Sequence, residues 1–181
     1  ENGNFHNNDF FGGNLKGIEE KLDYLESLGV EILYLSPINL STVRYDRYAA
    51  TDHMEIDPIV GTFEDLDRLH KKALSKGMYL ILDVAFNHCC SDNPIYLDAL
   101  NNPNSVYRDW FSRDENGNIR FWDGFSDMPE FNLWNQDYQN YVYGENGVIA
   151  KYSKYVDGFR LDLAEALPPF FLEGIRTRAN K

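Results

Sequence analysis

The segment Met78 to Phe86, reading MYLILDVAF, constrains the fold more than any other part of the chain. A strand with one wet face alternates apolar and polar residues. A run apolar at nearly every position marks a strand buried on both faces, as parallel strands are when helices cover them. Val30 to Leu35 is a second such run, closed by Ser36-Pro37, and Val156 to Leu163 is a third. Helical spacing fills the intervals. Leu15, Ile18, Leu22, Leu25 and Leu28 recur on one face and Gly29 stops that helix. Thr62 with Asp65 three residues on resembles a capping box, with Asp for the usual Glu; Leu66, Leu69, Ala73 and Leu74 continue that helix and Gly77 ends it. A further helix is expected from about Gln136 to Tyr155, interrupted at Gly144 or Gly147, and Pro168-Pro169 opens a last one. Between Cys89 and Gln136 the periodicity fails. That stretch, rich in Asn, Asp, Gly, Pro and aromatics, reads as a long excursion with little regular structure, and loops of that length are usually functional. The expected inventory is three strands and four helices in an α/β fold with parallel strands.

Composition narrows the function. Net charge is −12, which repels phosphate backbones and argues against nucleic acid. No apolar run approaches the roughly 18 residues of a membrane span. Two cysteines exclude a disulfide framework, a bridge between the adjacent Cys89 and Cys90 would be strained, and the thiols tilt the expected location toward the cytoplasm rather than secretion. No signal-peptide pattern is read at the start, but the chain opens on Glu1, which is equally compatible with a leader removed by processing. Aromatic residues make up 15% of the chain, which is compatible with sugar binding.

Asp83, Arg160 and Asp162 are charges in or beside apolar runs. Burying a charge costs several kcal/mol unless it is paired. Arg160 and Asp162 are two apart and share one side of a strand, and Asp83 on the preceding strand could reach the same Arg160. An Arg flanked by carboxylates keeps them ionised, so the cluster is either a structural ion pair or a nucleophile held in its charged form. Asn87 and His88 follow the Met78–Phe86 strand at its C-terminal end. Grouping His88, Cys89 and Cys90 with His53 as a metal site lacks any CxxC or HxxxH spacing.

These residues carry a family resemblance. Asp83-Val84-Ala85-Phe86-Asn87-His88 resembles the DxxxNH region of the α-amylase family, glycoside hydrolase family 13, and Gly158-Phe159-Arg160-Leu161-Asp162 its GxRxD region. Met128-Pro129-Glu130-Phe131-Asn132 is similar to the MPxLN segment of neopullulanases and related enzymes. Asp9 to Ile18 is similar to their FFGGDLxGI, and Tyr48 ahead of Asp52 and Ile56-Asp57-Pro58 to their YDTxDYxxIDP. The matches fall in order over nearly the whole chain. The fold implied is a partial (β/α)8 barrel, about strands two to four with their helices, with a domain-B-like excursion after strand three. Residues 1–88 and 136–181 would belong to the barrel and 89–135 to the excursion.

The resemblance implies that Asp162 is the catalytic nucleophile, that Arg160 holds it ionised, and that Asp83 buttresses Arg160. It implies that His88 hydrogen-bonds the sugar at the cleavage subsite and that Tyr48 stacks beneath it. The substrate implied is an α-glucan oligosaccharide or polysaccharide. The departures are Ala49-Ala50 in place of the DT of YDT, His53 in place of Tyr, and Glu165-Ala166 where many α-amylases carry Lys and His. Asn87 matches a calcium ligand of many α-amylases. Calcium is also implied at Asn2, Asn4, Asn7, Asn8, Gly12 and Asn14, whose spacing is like that of a neopullulanase-type calcium loop with Asn at each Asp position.

A closed barrel of this kind takes about 250 residues. The general-acid Glu of the family lies on a fifth strand, and nothing here matches it. The expectation is a retaining glycosidase or transglycosylase whose nucleophile half alone is present, inactive by itself and prone to self-association through bare barrel edges. The alternative is a non-catalytic α-amylase-like binding or assembly module.

Overall fold

In the computed structural model, residues 12–44 and 46–181 are described. The order is α1 (Leu15–Glu20), α2 (Leu22–Ser27), β1 (Ile32–Leu35), β2 (Asn39–Leu40), β3 (Asp52–Ile56), α3 (Phe63–Ser75), β4 (Tyr79–Val84), α4 (Pro94–Asn101), α5 (Gln136–Tyr143), α6 (Val148–Tyr152), β5 (Gly158–Leu161) and α7 (Pro169–Ala179). Strands β1, β4 and β5 form one parallel sheet in that order, with Ile32 opposite Tyr79 and Asp83 opposite Arg160. The sheet is an open arc rather than a closed barrel, as expected of part of a (β/α)8 barrel.

The two faces of the arc differ. Leu33 and Leu35 of β1 and Leu80, Leu82 and Val84 of β4 point into the helical layer and are buried. On the opposite face Ile32, Tyr34 and Tyr79 are 53%, 52% and 56% exposed. The apolar run of β4 is therefore covered on one side only along its first half, which corrects the expectation of burial on both. This second face corresponds to the lumen side of a barrel, and it turns polar at the C-terminal end, where Asp83 is fully buried.

Local chemistry explains the boundaries. Thr62 Oγ1 accepts the Asp65 N–H at 3.2 Å and Asp65 accepts the Thr62 N–H at 3.0 Å, so α3 starts with the expected capping box. The first expected helix is two, α1 and α2, because Lys21 leaves helical geometry at φ −100°, ψ 0°. The helix over 136–155 is interrupted at its glycines, as expected, and forms α5 and α6. A Cβ at Gly144 would meet the Asn140 carbonyl oxygen at 2.3 Å, and one at Gly147 would meet the Tyr141 carbonyl at 2.8 Å, so the chain can fold back there only on glycine. Strand β5 is shorter than expected because Leu163 adopts φ 52° and turns the chain.

Two features have no counterpart in the sequence reading. Strands β2 and β3 form a small antiparallel pair. Helix α4 lies inside the excursion, started by Pro94 and capped by the Asn93 side chain. The rest of residues 89–135 is irregular, as expected, and held by isolated bridges. Among the described residues, no helix is long and apolar enough to cross a membrane.

Two histidines are buried where β4 exits the sheet. His53 Nε2 lies 3.0 Å from the Ala85 carbonyl, and burial pushes its imidazole down to about 4. Burial pushes His88 down to about 4 as well, the nearby Asp162 charge opposing only part of the shift. Both rings are neutral in the folded protein and gain a proton on unfolding at any pH between about 4 and their ordinary 6.5. The contribution of these two rings to stability is therefore full above pH 6.5 and is lost as pH falls toward 4. Thermal melts across this window should show a falling Tm, less steep in His53→Gln; a flat wild-type profile contradicts the assignment. Separately, Thr62→Ala should lower unfolding free energy by about 1 kcal/mol in urea titration, the usual value of an N-cap.

Candidate active site

The site is assembled at the C-terminal end of the parallel sheet. Asp83 is the penultimate residue of β4 and has no access to water. Its carboxylate is satisfied from three directions. Arg160 Nη1, on the neighbouring strand, donates to both oxygens at 3.1 and 2.9 Å. The Tyr48 hydroxyl donates to Oδ2 at 2.8 Å, and the Tyr34 hydroxyl of β1 donates to the same oxygen. Arg160 Nη1 also reaches Asp162 Oδ1 at 2.6 Å. One guanidinium nitrogen thus bridges two carboxylates, and those carboxylates raise the pKa of Arg160 further. Asp162 lies one residue beyond β5, yet its N–H still donates to the Val84 carbonyl at 2.9 Å, so the ladder fixes its backbone.

The electrostatics follow from this geometry. Burial, then the hydrogen bond to Asp83, raises the Tyr48 phenol. The hydrogen bond to Asp83 and then burial raise Tyr34. Both hydroxyls stay protonated and act as donors. Asp83 is therefore a structural acceptor saturated by its neighbours, whereas Asp162 is held by Arg160 and remains partly open.

His88 follows β4 by way of Asn87. Its ring lies nearly parallel to that of Trp122, with an 11° interplanar angle at 6.3 Å between centroids. Both ring nitrogens are buried, and the ring meets the Tyr48 backbone and the Asp162 charge. The backbone before it is pinned carbonyl by carbonyl. Ala85 O meets His53, Phe86 O accepts the Tyr138 hydroxyl at 2.7 Å, and Asn87 O accepts the Phe131 N–H at 2.9 Å. Phe131 belongs to the Met128–Asn132 segment, whose Glu130 bridges His88 in antiparallel fashion. Phe131 in turn stacks on Tyr138 at 4.1 Å. That segment acts here as a clamp on the strand exit.

Five residues named from sequence, Asp83, Arg160, Asp162, His88 and Tyr48, converge at this end of the sheet. Tyr34 was not anticipated. Its position in an apolar strand conceals the hydroxyl, although its place on the face shared with Asp83 was available from the period-two pattern. Of the expected calcium residues, Asn2, Asn4, Asn7 and Asn8 lie outside the described residues. The Asn14 side-chain oxygen accepts the Gly17 N–H at 2.8 Å and caps α1. Among the described residues no group of three or more His, Cys, Asp or Glu is placed to hold a metal ion. Cys89 and Cys90 are buried free thiols, pushed up by burial, Cys90 to about 11 and Cys89 well above its ordinary range.

Comparison with known proteins places the chain in a family. The family described as alpha amylase, catalytic domain, matches residues 2–170. The chain is 33% identical to the amylopullulanase of Thermoanaerobacterium saccharolyticum over 96% of its own length and 16% of that protein's. It is 41% identical to alpha-amylase 2 of Dictyoglomus thermophilum over 84% of its length and 27% of that protein's. The cyclic alpha-maltosyl-(1→6)-maltose hydrolase of Arthrobacter globiformis superposes with a TM-score of 0.85 at 29% identity, covering 96% of this chain and 40% of that one. The chain thus spans well under half of each relative, and within that span it belongs to the α-amylase family, matching its catalytic domain.

Proposed function

We propose that these residues form the nucleophile side of a retaining α-glucan hydrolase or transglycosylase. The observation that carries this reading is the Arg160 bridge, 2.6 Å from Asp162 and 2.9 Å from Asp83. A retaining glycosidase needs one carboxylate that stays ionised and attacks the anomeric carbon, and a second that donates a proton to the leaving oxygen. Asp162 suits the first role. Arg160 neutralises its charge without protonating it and fixes its orientation, while buried Asp83 anchors Arg160 from behind.

The other residues complete a sugar subsite. The buried His88 ring, beside Asp162, offers a polar group that a sugar hydroxyl would satisfy. The Tyr48 ring, half-buried and held by its hydroxyl, offers a face for a pyranose ring. The attacking carboxylate would form a covalent glycosyl-enzyme, with water or a second sugar taking the glycosyl group in the next step.

The leaving-group acid has no counterpart in this cluster. Glu165 lies in the turn after Asp162 and Glu173 on α7. In this reading the acid comes from a further barrel strand, and residues 1–181 alone do not turn over glucan. The same reading expects those residues alone to self-associate through the open edges of β1 and β5 and the exposed face around Tyr34 and Tyr79. It places calcium in the asparagine-rich opening segment, held weakly by neutral oxygens.

The protein as its gene encodes it should release reducing sugar from maltodextrin, cyclodextrin or pullulan. Asp162→Asn should lower kcat by at least about 10³-fold with a smaller change in KM, because the attacking group is lost while binding survives. Binding of maltodextrin without turnover by the wild type would instead favour a non-catalytic module.

A further inference from the structure

Arg47 carries two unusual features at once. It is a non-glycine residue at φ 62°, a left-handed conformation that side chains rarely adopt. Its side chain is also committed to a nearly dry ion pair. Arg47 Nε lies 3.0 Å from Asp57 Oδ2, with the two side chains only 11% and 5% exposed. Strain at a single residue persists only where the surroundings over-determine it, and such positions concentrate at functional sites. A buried ion pair is weak evidence for stability, because desolvation offsets most of the attraction.

The surroundings are specific. The Arg47 N–H donates to the Arg44 carbonyl at 3.1 Å, and its own carbonyl accepts from Asn39 Nδ2 at 3.1 Å. Asp57 is itself fixed, its N–H on the Ile38 carbonyl at 2.9 Å and its Oδ1 on the Ile59 N–H at 2.9 Å. The residue after Arg47 is Tyr48, whose N–H is held by Asp46 Oδ1 at 3.2 Å and whose hydroxyl ends on Asp83. A left-handed residue reverses the chain locally, so the φ of Arg47 sets the direction in which Tyr48 leaves the loop.

We infer that Arg47, anchored by Asp57, is a positioning residue that aims the Tyr48 ring at the sugar subsite. This rests on the glucan reading for its consequence in catalysis but not for the geometry itself. Releasing the pair lets residue 47 leave its left-handed conformation, and Tyr48 then loses Asp83. A ring misplaced by about an ångström can cost roughly 10²-fold in turnover without any lost contact to the reacting atoms.

Two experiments decide the inference, both on the protein as its gene encodes it. In the first, Arg47→Gly retains access to positive φ but removes the ion pair, and Asp57→Asn removes it from the other side. Each should lower kcat/KM on maltodextrin about 10–100-fold, and Arg47→Lys should recover part of the loss. In a Tyr48→Ala background, Arg47→Gly should change kcat/KM less than about 2-fold, because the two residues act as one unit. Equal losses in both backgrounds overturn the inference.

The second experiment is independent of activity. Peptide-resolved nitration by tetranitromethane should label Tyr48 several-fold faster in Arg47→Gly and Asp57→Asn than in the wild type, with exposed Tyr24 labelled at an unchanged rate. An unchanged Tyr48 rate overturns the inference. If the wild type releases no sugar, the glucan reading alone fails and nitration still decides the geometry. Loss of folding in both variants makes the pair a determinant of the fold and overturns the positioning role.

Discussion

The pairing of Asp83 with Arg160 sets the terms for the rest of the molecule. Asp83 sits in a strand that is otherwise apolar, with no water to solvate it. It is tolerated only because the parallel register brings Arg160 directly opposite. A slip of one residue would turn Asp83 into the helical layer, turn Leu80 and Leu82 out of it, and leave Arg160 without its partner. The pair therefore specifies register, and register in turn places Asp162 beyond the end of β5. The hydroxyls of Tyr34 and Tyr48 take up the remaining capacity of one Asp83 oxygen, so β1 and the loop before β3 are tied to the same carboxylate.

A second layer of control lies in the backbone just downstream. The carbonyls of Ala85, Phe86 and Asn87 are taken by β3, by α5 and by the excursion, through His53, Tyr138 and Phe131. Each partner comes from a different part of the chain. The irregular stretch is thus a structural part of the site: its Met128–Asn132 segment holds the turn that presents His88, and its Trp122 lies parallel to the His88 ring. Rigid scaffold and irregular loop contribute to one small region, and the aromatic stack through Phe111, Phe131 and Tyr138 joins them.

What could be read from the sequence follows from where the physics is local. Strands β1, β4 and β5 were legible because consecutive apolar residues admit few other readings, and the cap at Thr62 because its partner is three residues away. Asp83, Arg160 and Asp162 stood out because charge in an apolar run demands a partner. The pairing of β2 with β3 was hidden, since Asp52-His53-Met54-Glu55-Ile56 buries a histidine where an apolar residue is expected. Helix α4 was hidden by Pro94 and its asparagine flanks, which look like loop residues until Asn93 is seen capping it. The break at Lys21 has no sequence signal that we can identify. Arg47 was invisible for another reason: its left-handed backbone depends on Asp57 ten residues away, and turn chemistry would have put Gly or Asn there.

The adjacent thiols of Cys89 and Cys90 have a consequence of a different kind. They follow His88 in the chain, fully covered, with pKa values raised by burial. Closed, the joint between β4 and the excursion shields them and keeps them in the unreactive thiol form. Only an opening of that joint exposes them to water and returns them to ordinary acidity. The rate at which a thiol reagent reaches these two residues therefore reports the opening of that joint.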